Sequence, residues 1–496
     1  MTITALDRDA LPEPGFLIGG KMTKTTSDVV FPHHYPATGE LTYEVPLAGP
    51  AEVDAAVKAA RQAFPAWKAM PGNERRQLMF KYGAAIRERA EELRRLIIAE
   101  NGVTYVGAMF SVPWVAELFE YNAGFADKIG GLLVPTFPGP ALDYTLDEPY
   151  GVVAVIVPWN GPFVSYGQTL APALAAGNTI VIKPPELAPY TCLRLAQIAE
   201  EVGFPPGVIN VIPGGPVGGD ALVSHPGIDK IFFTGSGATA RKIQAAAAPN
   251  LTPAGYELGG KSARLVFADA DLDSAALNSA MGAVANSGQA CIAGTRVIVE
   301  ESVYDEVIER MKAVIGHVTV GDPQDPNIAM GPVISQGAVD RITGFIDRAL
   351  GANRGQLVTG GRRLGGELAG GYFMPPTIFA NFGNHDEVSE QEIFGPVVSV
   401  LKFKTEEEAV AMANDSVYGL AAWVETKDAT RAHSVAAQLD AGTVWINGFY
   451  DLPVGAPFGG VKQSGFGRQG GIYAIQEFTR PKNVWLSLAK ERLSPF

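Results

Sequence analysis

Residues 152–157 read Val-Val-Ala-Val-Ile-Val, and no other feature of this chain limits its fold so sharply. A half-buried strand alternates apolar and polar positions. A run that is apolar throughout belongs to a strand covered on both faces, as in a parallel sheet. The stretch that follows agrees, with helices expected over 165–176, 189–202 and 217–223 and strands over 179–182, 208–212 and 228–233. Strand–helix alternation at this spacing predicts a doubly wound α/β sheet, whose ligands sit at the carboxyl ends of its strands. A second alternating series begins after Gly260: strand 263–267, helix 274–286, strand 296–300, helix 303–315, then strand 397–403, helices 406–414 and 429–439, and strand 443–446. A Gly-rich region, 351–371, separates its halves and reads as surface loops with a short strand. The expected fold is therefore α/β with two such domains.

The rest of the chain sets bounds on partners. Before the apolar run, residues 16–42 read as short strands and turns. Apolar periodicity then predicts helices over 51–67, 73–100 and 113–129, the second stopping at Asn101-Gly102. Residues 144–150 form an isolated strand, and 478–488 a terminal one able to pair with it or with a partner chain. Acidic residues outnumber basic ones, 52 to 39, for a net charge of −13, which disfavours nucleic-acid binding. No apolar run reaches the ~18 residues of a membrane span, and the N-terminus lacks a signal-peptide pattern. Only Cys192 and Cys291 occur, so a disulfide framework is not expected and a reducing, cytoplasmic setting fits. Cys192 falls in an apolar helix as core filler. The histidines, including His33-His34, read as surface or loop residues, and no metal ligand set has suitable spacing.

Two segments carry the chemistry. One is Tyr256-Glu257-Leu258-Gly259-Gly260-Lys261-Ser262; the other is Gly288-Gln289-Ala290-Cys291-Ile292-Ala293-Gly294-Thr295-Arg296. Small neighbours leave room for a substrate to reach Cys291, and Gly259-Gly260 lets a ligand or backbone approach beside Glu257. A thiol nucleophile and a carboxylate base are the minimum for covalent catalysis. Gly235-Ser236-Gly237-Ala238-Thr239-Ala240 follows a strand and opens a helix, the context in which N–H groups can meet a pyrophosphate. The similar pattern at 465–470 follows no strand and is not read as a dinucleotide loop.

These segments closely resemble the active-site signatures of the aldehyde dehydrogenase superfamily, in its NAD-dependent, hydrolytic branch. The resemblance runs in chain order over nearly the whole sequence. It implies residues 1–130 and 151–257 as an NAD-binding domain, 258–465 as a catalytic domain, and 131–150 with 478–496 as a small β oligomerisation arm. It also implies roles. Cys291 is the nucleophile, Glu257 the base, and Asn160, in Pro158-Trp159-Asn160, an oxyanion donor together with the Cys291 N–H. Lys183 and Glu186 hold the adenosine ribose; an acid there favours NAD over NADP. Ile156, Trp159, Gly235 and Ser236 complete the adenosine and phosphate side. Glu392 holds the nicotinamide ribose and Phe394 packs near the ring. The aldehyde passage is expected along Gly161, Val164, Gln168, Ile292, Phe449, Tyr450, Leu452 and Phe458. None of these is cationic, so a neutral apolar aldehyde, aromatic or medium-chain, is expected over one bearing a carboxylate. Departures from the family pattern fall at Gly237, Ala240 and Gln469, the last where many members have Glu. The expected protein is a homodimer or homotetramer. The competing readings are a CoA-acylating member, which generally lacks the carboxylate; a non-catalytic NAD-binding member; and a cysteine esterase without redox chemistry.

Overall fold

The computed structural model describes residues 3–8, 11–137, 139–352 and 354–490. Residues 1, 2, 9, 10, 138, 353 and 491–496, which fall within the expected domains and arm, lie outside that description. Two large sheets dominate. The first has eight strands in the order Gly465–Phe466, Ala254–Glu257, Lys230–Thr234, Val152–Ile156, Thr179–Lys183, Ile209–Val211, Phe16–Ile18 and Lys21–Thr23. Its five central strands pair in parallel. Val152–Ile156 and Thr179–Lys183 are buried at every position, as the apolar runs require. Separate apolar cores cover the two faces. Val153, Val155 and Leu170 belong to one, and Val152, Ala154 and Ile243 to the other. From Val152–Ile156, the next strand in sequence lies on one side and Lys230–Thr234 on the other. That reversal of strand order opens a crevice at the carboxyl ends, where ligands of such sheets bind.

The second sheet runs Gln356–Thr359, Thr377–Ala380, Val397–Phe403, Arg296–Glu300, Ala263–Val266, Ala421–Glu425 and Thr443–Ile446. It is parallel apart from its first pair. A third sheet pairs Thr479–Ser487 antiparallel with Ala141–Pro149 along the full length of both, and Leu133–Val134 flanks it. A two-stranded sheet, Val30–His34 with Leu41–Pro46, completes the β structure among the described residues.

Several expectations are corrected. The helix expected over 73–100 is two, Gly72–Glu88 and Ala90–Asn101. Between them Arg89 leaves helical angles (φ −100°, ψ 22°), and its guanidinium donates to Ala85 O and Glu201 instead. The helix expected from 113 starts earlier, as Tyr105–Ala123, because the Thr104 hydroxyl caps it by accepting from the Gly107 N–H; Pro113 is tolerated inside. A helix at Gln336–Gly351, with Val339, Ile342 and Ile346 buried, precedes the Gly-rich loops. The strand Ala421–Glu425 separates two helices that had looked consecutive. Its Ala-Ala opening and terminal Glu carry little strand propensity, but burial in the sheet forms it. His33 is not a surface residue. It is buried, with Nδ1 against Thr42 Oγ1 at 2.6 Å and Nε2 against the carbonyl oxygens of Glu100 and Leu187, both at 3.2 Å. Burial lowers its pKa to about 4 and so keeps the ring neutral. Cys192 is fully buried in the core.

Candidate active site

Where the strands of the first sheet end, the chain releases the residues singled out above. Ile156 closes one buried strand and leads to Trp159 and Asn160. Lys183 closes the next and leads to Glu186. Thr234 ends a third, and the following Gly235-Ser236 opens the helix Gly237–Ala247, whose N-cap is the Ser236 hydroxyl, accepting from the Thr239 N–H. Glu257 closes the fourth. All of these line one cleft of about 710 Å³, within the usual range for small-molecule sites. The second half of the chain covers it with Cys291, Glu392, Phe394 and Arg341. Trp159 and Phe394 meet edge to face, ring centroids 5.3 Å apart.

The Gly259-Gly260 pair shows why glycine is required there. A Cβ on Gly259 would lie 2.0 Å from Glu392 Oε2, and one on Gly260 would lie 2.8 Å from Cys291 O. The turn is held between the two. Glu392 Oε1 accepts from the Gly260 N–H at 3.0 Å, and burial raises its carboxyl to about 7, against the pull of that N–H, Lys261 and Arg341. Such a carboxylate, held by one backbone bond, can exchange that bond for a ligand hydroxyl. Burial also lowers Lys183 to about 8, with Glu186 opposing; its ammonium donates to Gly214 O. A dinucleotide fits this arrangement: helix-end N–H groups for phosphate, the Lys183–Glu186 pair for one ribose and Glu392 for the other.

Around the thiol the polar groups interlock. Asn160 Nδ2 donates to Gln289 O at 2.8 Å, and Asn286 Nδ2 donates to both Asn160 O and Gln289 O at 3.1 Å. The Asn160 amide therefore faces the Cys291 loop with a second N–H still to donate. Burial pushes the Cys291 thiol up to about 12; Glu392 and then Glu257 add to this, and the N–H groups of Ile292 and Cys291 oppose it. Glu257 is only 3% exposed, and neither carboxyl oxygen has a hydrogen-bond partner among the described residues. Burial drives its pKa well above the carboxylate range; Arg468 opposes this and Glu477 reinforces it.

The residues expected along the aldehyde passage lie outside this cleft. Gly161 caps the helix Pro162–Ala175, which carries Val164 and Gln168, and Ile292 follows Cys291. Phe449 stacks on Tyr450 at 3.8 Å; Tyr450 packs with Ile292 against Trp423 and Trp445. Leu452 O accepts from Trp114 Nε1 at 3.1 Å. Phe458 is buried, its backbone bridged to that of Gln469. Gln469 is buried too and donates to Thr169 Oγ1 at 3.0 Å, a neutral pair. Arg341 had no signature of its own. The apolar period of the helix that carries it, Val339, Ile342 and Ile346, was the available signal.

Residues 22–484 match the aldehyde dehydrogenase family. Human retinal dehydrogenase 2 is 40% identical over 480 residues, 96% of this chain and 92% of the relative; mouse cytosolic aldehyde dehydrogenase 1 is 40% identical over 486 residues, 96% and 95%. Among solved structures, PnpE of Pseudomonas sp. WBC-3 in complex with NAD matches with a TM-score of 0.94 at 40% identity, covering 97% of this chain and 99% of that one. Betaine aldehyde dehydrogenase of Staphylococcus aureus in complex with NAD matches with a TM-score of 0.95 at 34% identity, covering 98% and 97%. With a thiol, a carboxylate and the crevice at the strand ends in one cleft, and with matches spanning nearly its whole length, this chain belongs to the aldehyde dehydrogenase family.

Proposed function

We propose that this protein oxidises a neutral, apolar aldehyde to its carboxylic acid with NAD, through a covalent thioester on Cys291. The observation that carries the reading is Glu257. A buried carboxyl with neither oxygen hydrogen-bonded among the described residues is costly, a cost typical of functional sites, and it faces the same cleft as Cys291, the less buried of the two thiols. Burial holds the resting Cys291 thiol protonated; the positive charge of a bound oxidised nicotinamide would favour loss of that proton to solvent, and the thiolate attacks the aldehyde carbon to give a thiohemiacetal. The Asn160 amide and the Cys291 N–H donate to its oxyanion, a contribution of typically about 10²–10³ in rate. Bound NAD supplies the hydride acceptor. Lys183, Glu186, Trp159, Gly235 and Ser236 hold its adenosine half, and Glu392 and Phe394 its nicotinamide half. Glu257 then takes a proton from water, which hydrolyses the thioester and frees Cys291. A CoA-acylating enzyme would need no such base, and a non-catalytic or purely esterolytic protein would need no paired cofactor and nucleophile.

The aromatic cluster of Trp423, Trp445, Phe449 and Tyr450 supports an apolar substrate. The nearest cation behind it is Arg264, which is buried, ion-paired with Glu425 and stacked over Trp423 at 4.7 Å. Glu425 offsets its charge, although Arg264 still acts on Tyr450. We assign residues 1–130 with 151–257 to cofactor binding, 258–465 to catalysis, and 131–150 with 478–496 to self-association in a dimer or tetramer. The exposed Leu132, Leu133, Phe137, Trp485 and Leu486 on that arm support the last. Among the described residues no helix is long and apolar enough to cross a membrane. With two free cysteines, that suits cytoplasmic residence.

Rapid mixing of Glu257→Gln with aldehyde and NAD tests the mechanism. A burst of about one NADH per active site should precede slow turnover, as when an acyl-enzyme accumulates. Turnover at the unsubstituted rate would sink the assignment.

A further inference from the structure

The Glu257 carboxylate has no hydrogen bond among the described residues, yet it has neighbours. Gly459, at φ +154°, brings the loop before residue 468 against it. A Cβ there would lie 2.7 Å from Glu257 Oε1, 2.7 Å from Gly467 O and 2.9 Å from Arg468 Cδ. Glu257 and the Arg468 side chain thus meet at a point only glycine can leave open. Arg468 is held in place by its own contacts. Nη1 donates to Gly460 O at 2.9 Å and to Gly467 O at 2.7 Å, and its backbone N–H donates to Glu477 Oε2 at 3.3 Å. Glu477 lies over the same strand as Glu257, since a Cβ on Gly255 would meet Glu477 Oε1 at 2.7 Å. Glu477 is itself tied to Lys230 at 2.5 Å, with both side chains largely buried.

We propose that Arg468 is a positioning residue for Glu257, and that the Arg468–Glu477–Lys230 series sets the electrostatic bias under which Glu257 works as the base. This rests on the reading of Glu257 given above. Burial alone would leave the carboxyl protonated and useless as a base; the charge of the fixed Arg468 side chain acts the other way and restores part of the ionised population. Glu477 opposes that effect, and Lys230 limits the opposition by pairing with Glu477. The charged or titratable groups facing Glu257 are Arg468 from the loop, Glu477 from the terminal helix and Cys291 from across the cleft. The pair Gln469–Thr169 is neutral and contributes no charge.

The experiment follows acyl-enzyme hydrolysis against pH after p-nitrophenyl acetate has acylated Cys291. Hydrolysis fails as pH drops through the pKa of Glu257, so a change in that pKa moves the acid limb. In Arg468→Met the limb should move up by about one pH unit, slowing hydrolysis about tenfold below it, with the acylation burst unchanged. Arg468→Lys should bring the limb most of the way back. Glu477→Gln removes an anion and should move the limb down, which keeps the idea testable if Arg468→Met does not fold. A limb that stays put in Arg468→Met or in Glu477→Gln, or a burst lost together with hydrolysis, would overturn the proposal. Glu257→Gln runs alongside. If it hydrolyses the acyl-enzyme at the unsubstituted rate, Glu257 is not the base and the functional reading falls. If it does not, and Arg468→Met leaves the limb in place, only the role of Arg468 falls.

Discussion

Burial pushes the Cys291 thiol up to about 12, which makes the resting site open to test by alkylation. A thiol at about 12 is ionised to roughly one part in ten thousand at pH 8, against roughly one in four for a free cysteine at about 8.5. Iodoacetamide should therefore inactivate the cofactor-free enzyme about a thousandfold more slowly at pH 8 than it alkylates glutathione-like thiols. The rate should climb about tenfold per pH unit with no plateau below about 10. The readout is clean because the second thiol, Cys192, is 0% exposed. After burial, Glu392 is the largest cause of the shift, so Glu392→Gln should speed alkylation several-fold at fixed pH. Mass spectrometry of the alkylated peptide at each pH provides the assay. A plateau near pH 8.5, with free-cysteine rates, would show that the fold does not suppress the thiolate, and the argument from burial and like charge would be refuted.

Other outcomes follow from the same geometry. Gly259→Ala places a methyl 2.0 Å from Glu392 Oε2, so that carboxylate must move and lose its bond to Gly260; KM for NAD should rise about tenfold, the worth of one charge-assisted hydrogen bond, as initial rates would show. Benzaldehyde and hexanal should exceed succinate semialdehyde in kcat/KM at about pH 8, near the reference thiol pKa; the reverse order would place an unpaired cation in the passage. Deleting residues 482–496 strips most of the strand paired to Ala141–Pro149, and light scattering should then report a smaller particle. A monomeric parent at micromolar concentration would remove the basis for that test.

The sequence by itself determined the parts that local chemistry fixes. Val152–Ile156 had to be a strand buried on both faces because it is apolar at every position, and Gly235-Ser236 had to be a turn into a helix because it follows such a strand. The wording around Glu257 and Cys291 marked both segments before any geometry was known. Helix boundaries were less legible, since Thr104 as a cap and Arg89 as a break depend on weak preferences that packing overrides. The strand Ala421–Glu425 was hard to see because only Trp423 and Val424 within it favour β structure; two strands beside it in the sheet supply the pairing. Tertiary structure alone decided the charges. Nothing in the sequence places Glu392 on Gly260, Arg468 beside Glu257, or Arg264 beneath Trp423, because each pair is distant along the chain and meets only when separate elements pack. The same holds for His33, whose neighbours Glu100 and Leu187 come from different segments and turn a residue that reads as surface into a buried bridge. A pKa depends on burial and on what lies within a few ångströms, and both are properties of the folded chain, absent from any stretch of it.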